Sequence, residues 1–381
     1  MHQITRIFHP VGQGAFYSES HCIRGKKFNI VYDCGSISSK TKIDSVVHGF
    51  AEQNEIDVLF ISHFDQDHVN KIKLLQSKTI IKRVVLPLLH DDERILLEVI
   101  NKVLGYNEVV TLIDSPEQFF KSNDAENPKT QITKVNINRD SSDIQEQTTI
   151  NLLEKVPTQI DSGTSLVINH DDNHNWVFIP YNFDFSNRRT EIEREIVSAG
   201  YTVDSFKNMV DNSIFDAQMI KKKINSIYKK LSGTMNSNSM FLYSGPNSTD
   251  KYTCFCDYTK QFARRPYYFD CHKLSKVGCL YTGDGNFNEL IDIKKILPNH
   301  YKYLGVIQTP HHGSKNSFNI NFVSSYGCRP ILFITCYGSK NQYGHPSANA
   351  LNEIINNGYI PVLVTEDEKT KFSQDIIIYL T

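Results

Sequence analysis

His63-Phe64-Asp65-Gln66-Asp67-His68 places four potential metal ligands within six residues. The run just before it, Asp57-Val58-Leu59-Phe60-Ile61-Ser62, is apolar and reads as a buried strand. The ligand cluster therefore sits in the turn that leaves a core strand, where open α/β sheets gather their binding sites. Imidazole together with carboxylate suits zinc, manganese or iron.

Working outward, three further clusters repeat the arrangement. Thr282-Gly283-Asp284 closes the apolar run Val277–Thr282. Pro310-His311-His312-Gly313-Ser314 follows the run Tyr303–Thr309. Tyr343-Gly344-His345-Pro346-Ser347 lies beyond the run Ile331–Thr335, after a loop. A lone histidine is usually structural; four His or Asp clusters at or just beyond strand ends argue for one shared site. Asp67 is suited to orienting a hydrolytic water. His311 or His312 is suited to donating a proton to a leaving group, and the sequence does not choose between them. Ser314 and the N–H groups near Gly313 are suited to holding a phosphate oxygen.

Composition narrows the class. The chain has 381 residues, of which 40% are apolar and 22% charged, with a formal net charge of −1. A large core is available without staples, and bulk charge gives no attraction for a polyanion. The N-terminus shows no basic region followed by an apolar one, so a secretion leader is not expected. No run reaches the ~18 apolar residues of a membrane span. Eight cysteines are scattered along the chain, which fits reduced thiols and a cytoplasmic location. Cys254, Cys256, Cys271 and His272 form a loose cluster, but the first pair is C-x-C where structural zinc usually takes C-x2–4-C. The plainer reading is a strand in which cysteine serves as a small apolar residue.

Taken in order, H-x-D-x-D-H, T-G-D, H-H-G-S and Y-G-H-P resemble the metallo-β-lactamase superfamily. More narrowly they are similar to the hydrolase domain of the ComEC competence channel and its stand-alone relatives. Val11-Gly12-Gln13-Gly14, Tyr32-Asp33-Cys34-Gly35 and Asn236-Ser237-Asn238-Ser239-Met240-Phe241-Leu242 match that subfamily too. The resemblance covers roughly residues 4–90 and 234–381. It implies an αββα sandwich, two mixed sheets flanked by helices, with a large helical insertion. It also implies a metal-dependent hydrolase, with a phosphodiesterase or nuclease as the preferred activity and one or two ions of Zn2+ or Mn2+. By this likeness His63 and Asp65 hold one metal and Asp67 and His68 the second. Asp284 bridges them, His345 completes the second sphere, and His311 or His312 ligates or contacts the leaving phosphate. Three departures stand out. Ala15 replaces the aspartate that often follows G-Q-G. Val69-Asn70-Lys71 replaces the glycines after the metal motif. The segment between the early strands and T-G-D is greatly enlarged. Within the ligand set, the usual third histidine of the first metal has no clear match, so a single ion is the alternative to a pair.

The rest of the chain is expected to form one domain over residues 1–381. Phe28–Asp33 and Ile80–Leu86 read as strands, as do Pro361–Thr365 and Asp375–Leu380. Ile43–Gln53, Val69–Gln76, Asp91–Leu104 and Asn349–Asn356 read as helices. Residues 123–159 read as polar loop with one strand over Gln131–Ile137. The stretch 123–233 reads as an enlarged insertion: a hairpin of Ser165–His170 and Asn175–Pro180, then helices over Asn187–Gly200 and Ser205–Leu231. It is a candidate lid or surface for a partner protein. Arg264, Arg265, Tyr267, Tyr268 and Phe269 are compatible with a nucleic-acid partner. Two competing readings remain: the same metal site acting on another ester or amide bond, and a scaffold that has no catalysis.

Overall fold

The computed structural model describes residues 1–38, 40–121, 129–138, 148–168, 176–183, 239–247, 252–258, 276–290, 292–323 and 331–380, with isolated positions between 194 and 205. The expected helices over 187–200 and 205–231, the turn at 171–174, and the Cys271–His272 and Arg264–Phe269 stretches lie wholly or mostly outside these residues.

Two mixed sheets pack face to face. β1 (His2–Phe8), β2 (Phe16–Ile23), β3 (Lys26–Cys34), β4 (Val58–Phe60), β5 (Arg83–Pro87) and β6 (Gln131–Val135) belong to the first. β7 (Ile137–Asn138) and β8 (Thr149–Asn151) join the second, and β9 (Gln159–Ile160) returns to the first. β10 (Ser165–Val167), β11 (Trp176–Phe183) and β12 (Phe241–Pro246) lie in the second. β13 (Tyr252–Tyr258) is in the first, β14 (Gly278–Tyr281), β15 (Leu304–Gln308), β16 (Leu332–Cys336) and β17 (Ile360–Val364) in the second, and β18 (Phe372–Leu380) in the first. The first sheet runs β13-β18-β1-β2-β3-β4-β5-β6-β9, antiparallel up to β3 and parallel beyond. The second runs β17-β16-β15-β14-β12-β11-β10-β8, parallel through β14, with β7 beside β11.

Helices cover both outer faces. On the first sheet lie α1 (Lys40–Ala51), α2 (Gln66–Val69), α3 (Ile72–Gln76), α4 (Asp91–Leu104), α5 (Asn107–Asp114) and α6 (Pro116–Phe119). On the second lie α7 (Ile293–Ile296) and α8 (Ala348–Asn356). The layering shows in three apolar cores. One lies between the sheets and joins Phe8, Tyr17 and Ile30 to Phe178, Leu242 and Val306. One lies under α1 to α6, with Ile43, Leu59 and Leu112. One lies under α7 and α8, with Leu280, Ile293 and Ile354. This is the metallo-β-lactamase αββα sandwich. Among the described residues, no helix is long and apolar enough to cross a membrane.

The strands that carry ligand motifs form where expected, because their apolar runs are buried on both faces: β4, β14, β15 and β16 are buried at every position. One expectation needs correction. Residues 123–159 are not loop with one strand, since β7, β8 and β9 also form there and extend both sheets. The N-terminal segment holds two strands the apolar pattern does not reveal. Ser18, Glu19 and His21 are buried on β2, and Arg6 on β1 binds Glu19 Oε1 at 2.7 Å. Tyr281 and Ser244 donate to the same carboxylate from the opposite sheet. Polar side chains that satisfy one another between the sheets erase the alternation that would have marked these strands. The stretch expected as an insertion supplies six strands, β6 to β11, to the two sheets. Cys254 and Cys256 lie on β13, opposite Ile378 and Ile376 of β18.

Candidate metal centre

β4 ends at Phe60, and Ser62 and His63 follow it directly into the site. The motif then turns into α2, with Asp65 at its N-cap. Two glycines let the neighbouring loops close against it. A Cβ on Gly35 would lie 2.5 Å from the His68 carbonyl carbon and 2.6 Å from that of Asp67. A Cβ on Gly14, at φ +153°, would lie 2.7 Å from Asp67 O. Ala15 N–H donates to both Gly35 O and Asp67 O. The G-Q-G and D-C-G motifs are thus a backbone clamp on Asp67 and His68.

Side chains from three strand ends, those of β4, β14 and β15, converge here. His63, His68 and Asp284 bring one ligand atom each within 4.8 Å of one another, and so do Asp67, His68 and His312. His68 belongs to both groups. His68 Nε2 lies 3.1 Å from Asp284 Oδ1, and His63 Nε2 lies 3.9 Å from Asp284 Oδ2. His312 Nε2 is 3.1 Å from Asp67 Oδ2 and 3.8 Å from Asp284 Oδ1. His311 Nε2 stands 3.7 Å from Asp284 Oδ2.

The outer nitrogens fix what the inner ones can do. His68 Nδ1 is 2.8 Å from Asp33 Oδ2, and His312 Nδ1 is 2.8 Å from Cys336 O. Both partners only accept, so both Nδ1 atoms carry hydrogen. Ser62 donates its hydroxyl proton to Asp33 Oδ2 at 2.6 Å, so its oxygen accepts from His63 Nδ1 at 2.8 Å. In the neutral tautomers, all three Nε2 lone pairs then face the carboxylates of Asp67 and Asp284. Acceptors that face acceptors need a proton or a cation between them. His63 Nε2, His68 Nε2 and Asp284 Oδ1 are moreover buried without a hydrogen-bond partner, a condition folded proteins avoid. A divalent cation ligated by these atoms resolves the conflict, and the donor set of imidazole and carboxylate fits one.

The electrostatics agree. Burial, followed by the neighbouring His68, pushes His63 down to about 3, which keeps it neutral and able to ligate. Burial works against the charge on Asp284, yet His311, His68 and His312 hold it well below the usual carboxylate range. Burial likewise opposes the charge on His68, and Asp284, Asp33 and Asp67 outweigh it. The centre thus attracts positive charge. His311 and His312 are themselves strained, at φ +46° and +53°, a cost of about 1–3 kcal/mol each that active sites commonly carry. Gly283 is also left-handed, and a Cβ there would meet Ser62. Its carbonyl accepts from His311 N–H, tying T-G-D to H-H-G.

The centre forms the floor of an open cavity of about 270 Å³. Asp65 is half-buried and lines this cavity but belongs to neither ligand group among the described residues. His345 also lines it, with its ring 5.4 Å from that of His311, and burial, then His311, lowers it to about 4. Ser314 is buried, its hydroxyl accepting from Asn316 N–H at 3.3 Å, and it does not line the cavity. Asp67 and His68 share a ligand group, as expected, whereas His63 groups with His68 and Asp284 rather than with Asp65. Three orienting residues escaped the sequence reading. Asp33 accepts from Ser62 N–H, Ser62 Oγ and His68. Ser62 sets the His63 tautomer, and Ser239 contacts His63 Nδ1 at 3.1 Å while accepting from Asp284 N–H. The only signal for Asp33 was its place in Tyr32-Asp33-Cys34-Gly35.

No protein-family model matches this chain, and no curated protein matches it. Among solved structures it is similar to the metallo-beta-lactamase fold protein YhfI from Bacillus subtilis, at 9% identity and a TM-score of 0.39, over 98% of this chain and 99% of that one. It is also similar to a long form RNase Z from yeast, at 13% identity and a TM-score of 0.30, over 88% of this chain and 37% of that one. The order of strands in the two sheets and the helices on their outer faces define the αββα fold.

Proposed function

We propose that the protein is a metal-dependent hydrolase and that its bond is a phosphodiester, with nucleic acid as the preferred substrate. One observation carries the metal reading: His63 Nε2, buried without a hydrogen-bond partner, and the buried His68 and Asp284, which have only each other on this side, bring their ligand atoms within 4.8 Å of one another. The phosphodiester preference is supported by the order of the ligand motifs and their likeness to the ComEC-type hydrolases. When bound, a divalent cation supplies Lewis acidity and brings the pKa of a coordinated water from about 15.7 to near 7. His63, His68, Asp284, Asp67 and His312 would hold one or two such ions. Asp67 reaches the cavity and is placed to orient the attacking water. His311, held by Ser317 Oγ at Nδ1, presents Nε2 beside Asp284 and is placed to protonate the leaving oxygen.

A panel of substrates with Zn2+ or Mn2+ tests this reading. Cleavage of bis-p-nitrophenyl phosphate, lost in Asp67→Ala, with nitrocefin untouched, is the expected result. Nitrocefin or ester cleavage alone would move the bond to an amide or ester. Unaltered biological activity in Asp67→Ala would favour a scaffold.

A further inference from the structure

The floor of the cavity is charged, but one wall is not. α4 is amphipathic. Leu96 and Val99 face the core, while Leu97, Ile100, Asn101 and Leu104 line the cavity; Ile100 and Asn101 are themselves buried beneath it, and Leu97 and Leu104 are half-buried. Positions 97, 100, 101 and 104 are spaced i, i+3, i+4, i+7, which is one stripe of a helix. Gly105 ends the helix in the left-handed conformation at φ +83°, and the chain turns so that Tyr106 continues the stripe into the same cavity. Tyr106 is 40% exposed although it lines the cavity. Across the mouth, Tyr343 stacks on His345 at 5.9 Å and 18°. Among the described residues lining the cavity there is no lysine or arginine. Negative charge on a substrate therefore has only the histidine and cation side to go to, and the opposite wall offers apolar surface. The volume, about 270 Å³, is at or below the low end for small-molecule pockets, so it takes one such group and not a duplex.

We propose that this wall selects the substrate: Leu97, Leu104 and Tyr106, backed by buried Ile100, bind an aryl or similarly flat apolar group attached next to the scissile phosphate. The proposal rests on the phosphodiesterase reading and narrows it to diesters that present an unstacked ring. Apolar area removed from water against these side chains strengthens binding of such a group, whereas a methyl group in its place leaves the wall wet. A flipped-out base or an aryl ester satisfies this chemistry, and a paired duplex end does not.

The test separates the two readings by measuring binding as well as turnover. The metal-loaded protein is titrated with phenylphosphonate and with methylphosphonate. Separately, kcat and KM are compared for p-nitrophenyl phenyl phosphate and methyl p-nitrophenyl phosphate, which share a leaving group. Phenylphosphonate is expected to bind about tenfold more tightly, and the phenyl diester to have the lower KM at similar kcat. In Leu104→Gln and in Tyr106→Ser, the latter at an exposed position that does not threaten folding, the preference should fall to within about threefold. Equal binding of the two phosphonates, binding of neither, or a preference unchanged in both variants overturns the proposal. An intact binding preference with neither diester cleaved supports the apolar wall and removes the phosphodiester reading.

Discussion

His68 Nδ1 lies 2.8 Å from Asp33 Oδ2, and both side chains are completely buried. Asp33 sits at the end of β3 at φ +57° and holds the ring so that Nε2 faces Asp284. Asp33→Asn keeps a residue type that tolerates this backbone but replaces one acceptor with a donor facing Ser62 and His68. Metal affinity should fall by about 10–100-fold, the usual effect of losing such an orienting partner. A competition titration with a chromogenic chelator measures it, and unchanged affinity would remove Asp33 from the account.

Two glycine substitutions should act in opposite directions. Gly35→Ala drives a methyl group into the Asp67–His68 backbone and should cost about 1–3 kcal/mol along with metal affinity. Gly49→Ala, on the exposed face of α1 with nothing near its Cβ, should stabilise by up to about 1 kcal/mol. Urea unfolding of the two variants reads the contrast.

The Arg6–Glu19 pair between the sheets is fully buried. Glu19→Gln would leave the Arg6 charge uncompensated and should cost about 3–5 kcal/mol in the same assay. A cost below about 1 kcal/mol would mean that Gln374 and the carbonyls of Val277 and Ser244, which Arg6 also binds, suffice alone.

Acid should weaken the fold before it protonates the carboxylates. Burial, then the charge of Lys371, pushes His9 down to about 3; its ring stacks on Phe16 and bonds Ser18 Oγ. Unfolded, it titrates near 6.5. Between those values the unfolded chain holds the extra proton. His9's contribution is therefore complete above about pH 6.5 and shrinks by up to about 1.4 kcal/mol per pH unit below it. His300, which burial and then Lys302 lower to about 4, acts in the same direction. Metal-free protein should lose stability between pH 7 and 5, and His9→Gln should flatten that slope; an unchanged slope would clear His9 of the effect.

Much of the site was legible because each ligand motif follows an apolar run that is buried on both faces. His63, Asp67, His68, Asp284, His311 and His312 were all visible in this way. Their grouping was not. Ligands adjacent in the chain, such as His63 and Asp65, fall into different surroundings, while His63 and Asp284 meet across the two sheets. Asp33, Ser62 and Ser239 were hidden for the same reason: a hydroxyl or carboxylate that orients a ring is recognisable only once three strand ends are brought together. β1 and β2 escaped because Arg6, Glu19 and His21 bury polar atoms where the pattern expects apolar ones.

The central claim is that His68 Nε2 is a cation ligand where two candidate groups, His63–His68–Asp284 and Asp67–His68–His312, overlap. Metal content by mass spectrometry, after supplementation with Zn2+ or Mn2+ and desalting, addresses it directly. At least one ion is expected for the unaltered protein, and because His68 Nε2 belongs to either candidate group, His68→Ala should retain less metal than the parent whichever group is filled, as His63→Ala or His312→Ala should according to the group that is. An unaltered protein that retains no ion, or a His68→Ala variant that retains as much as the parent, would contradict the account.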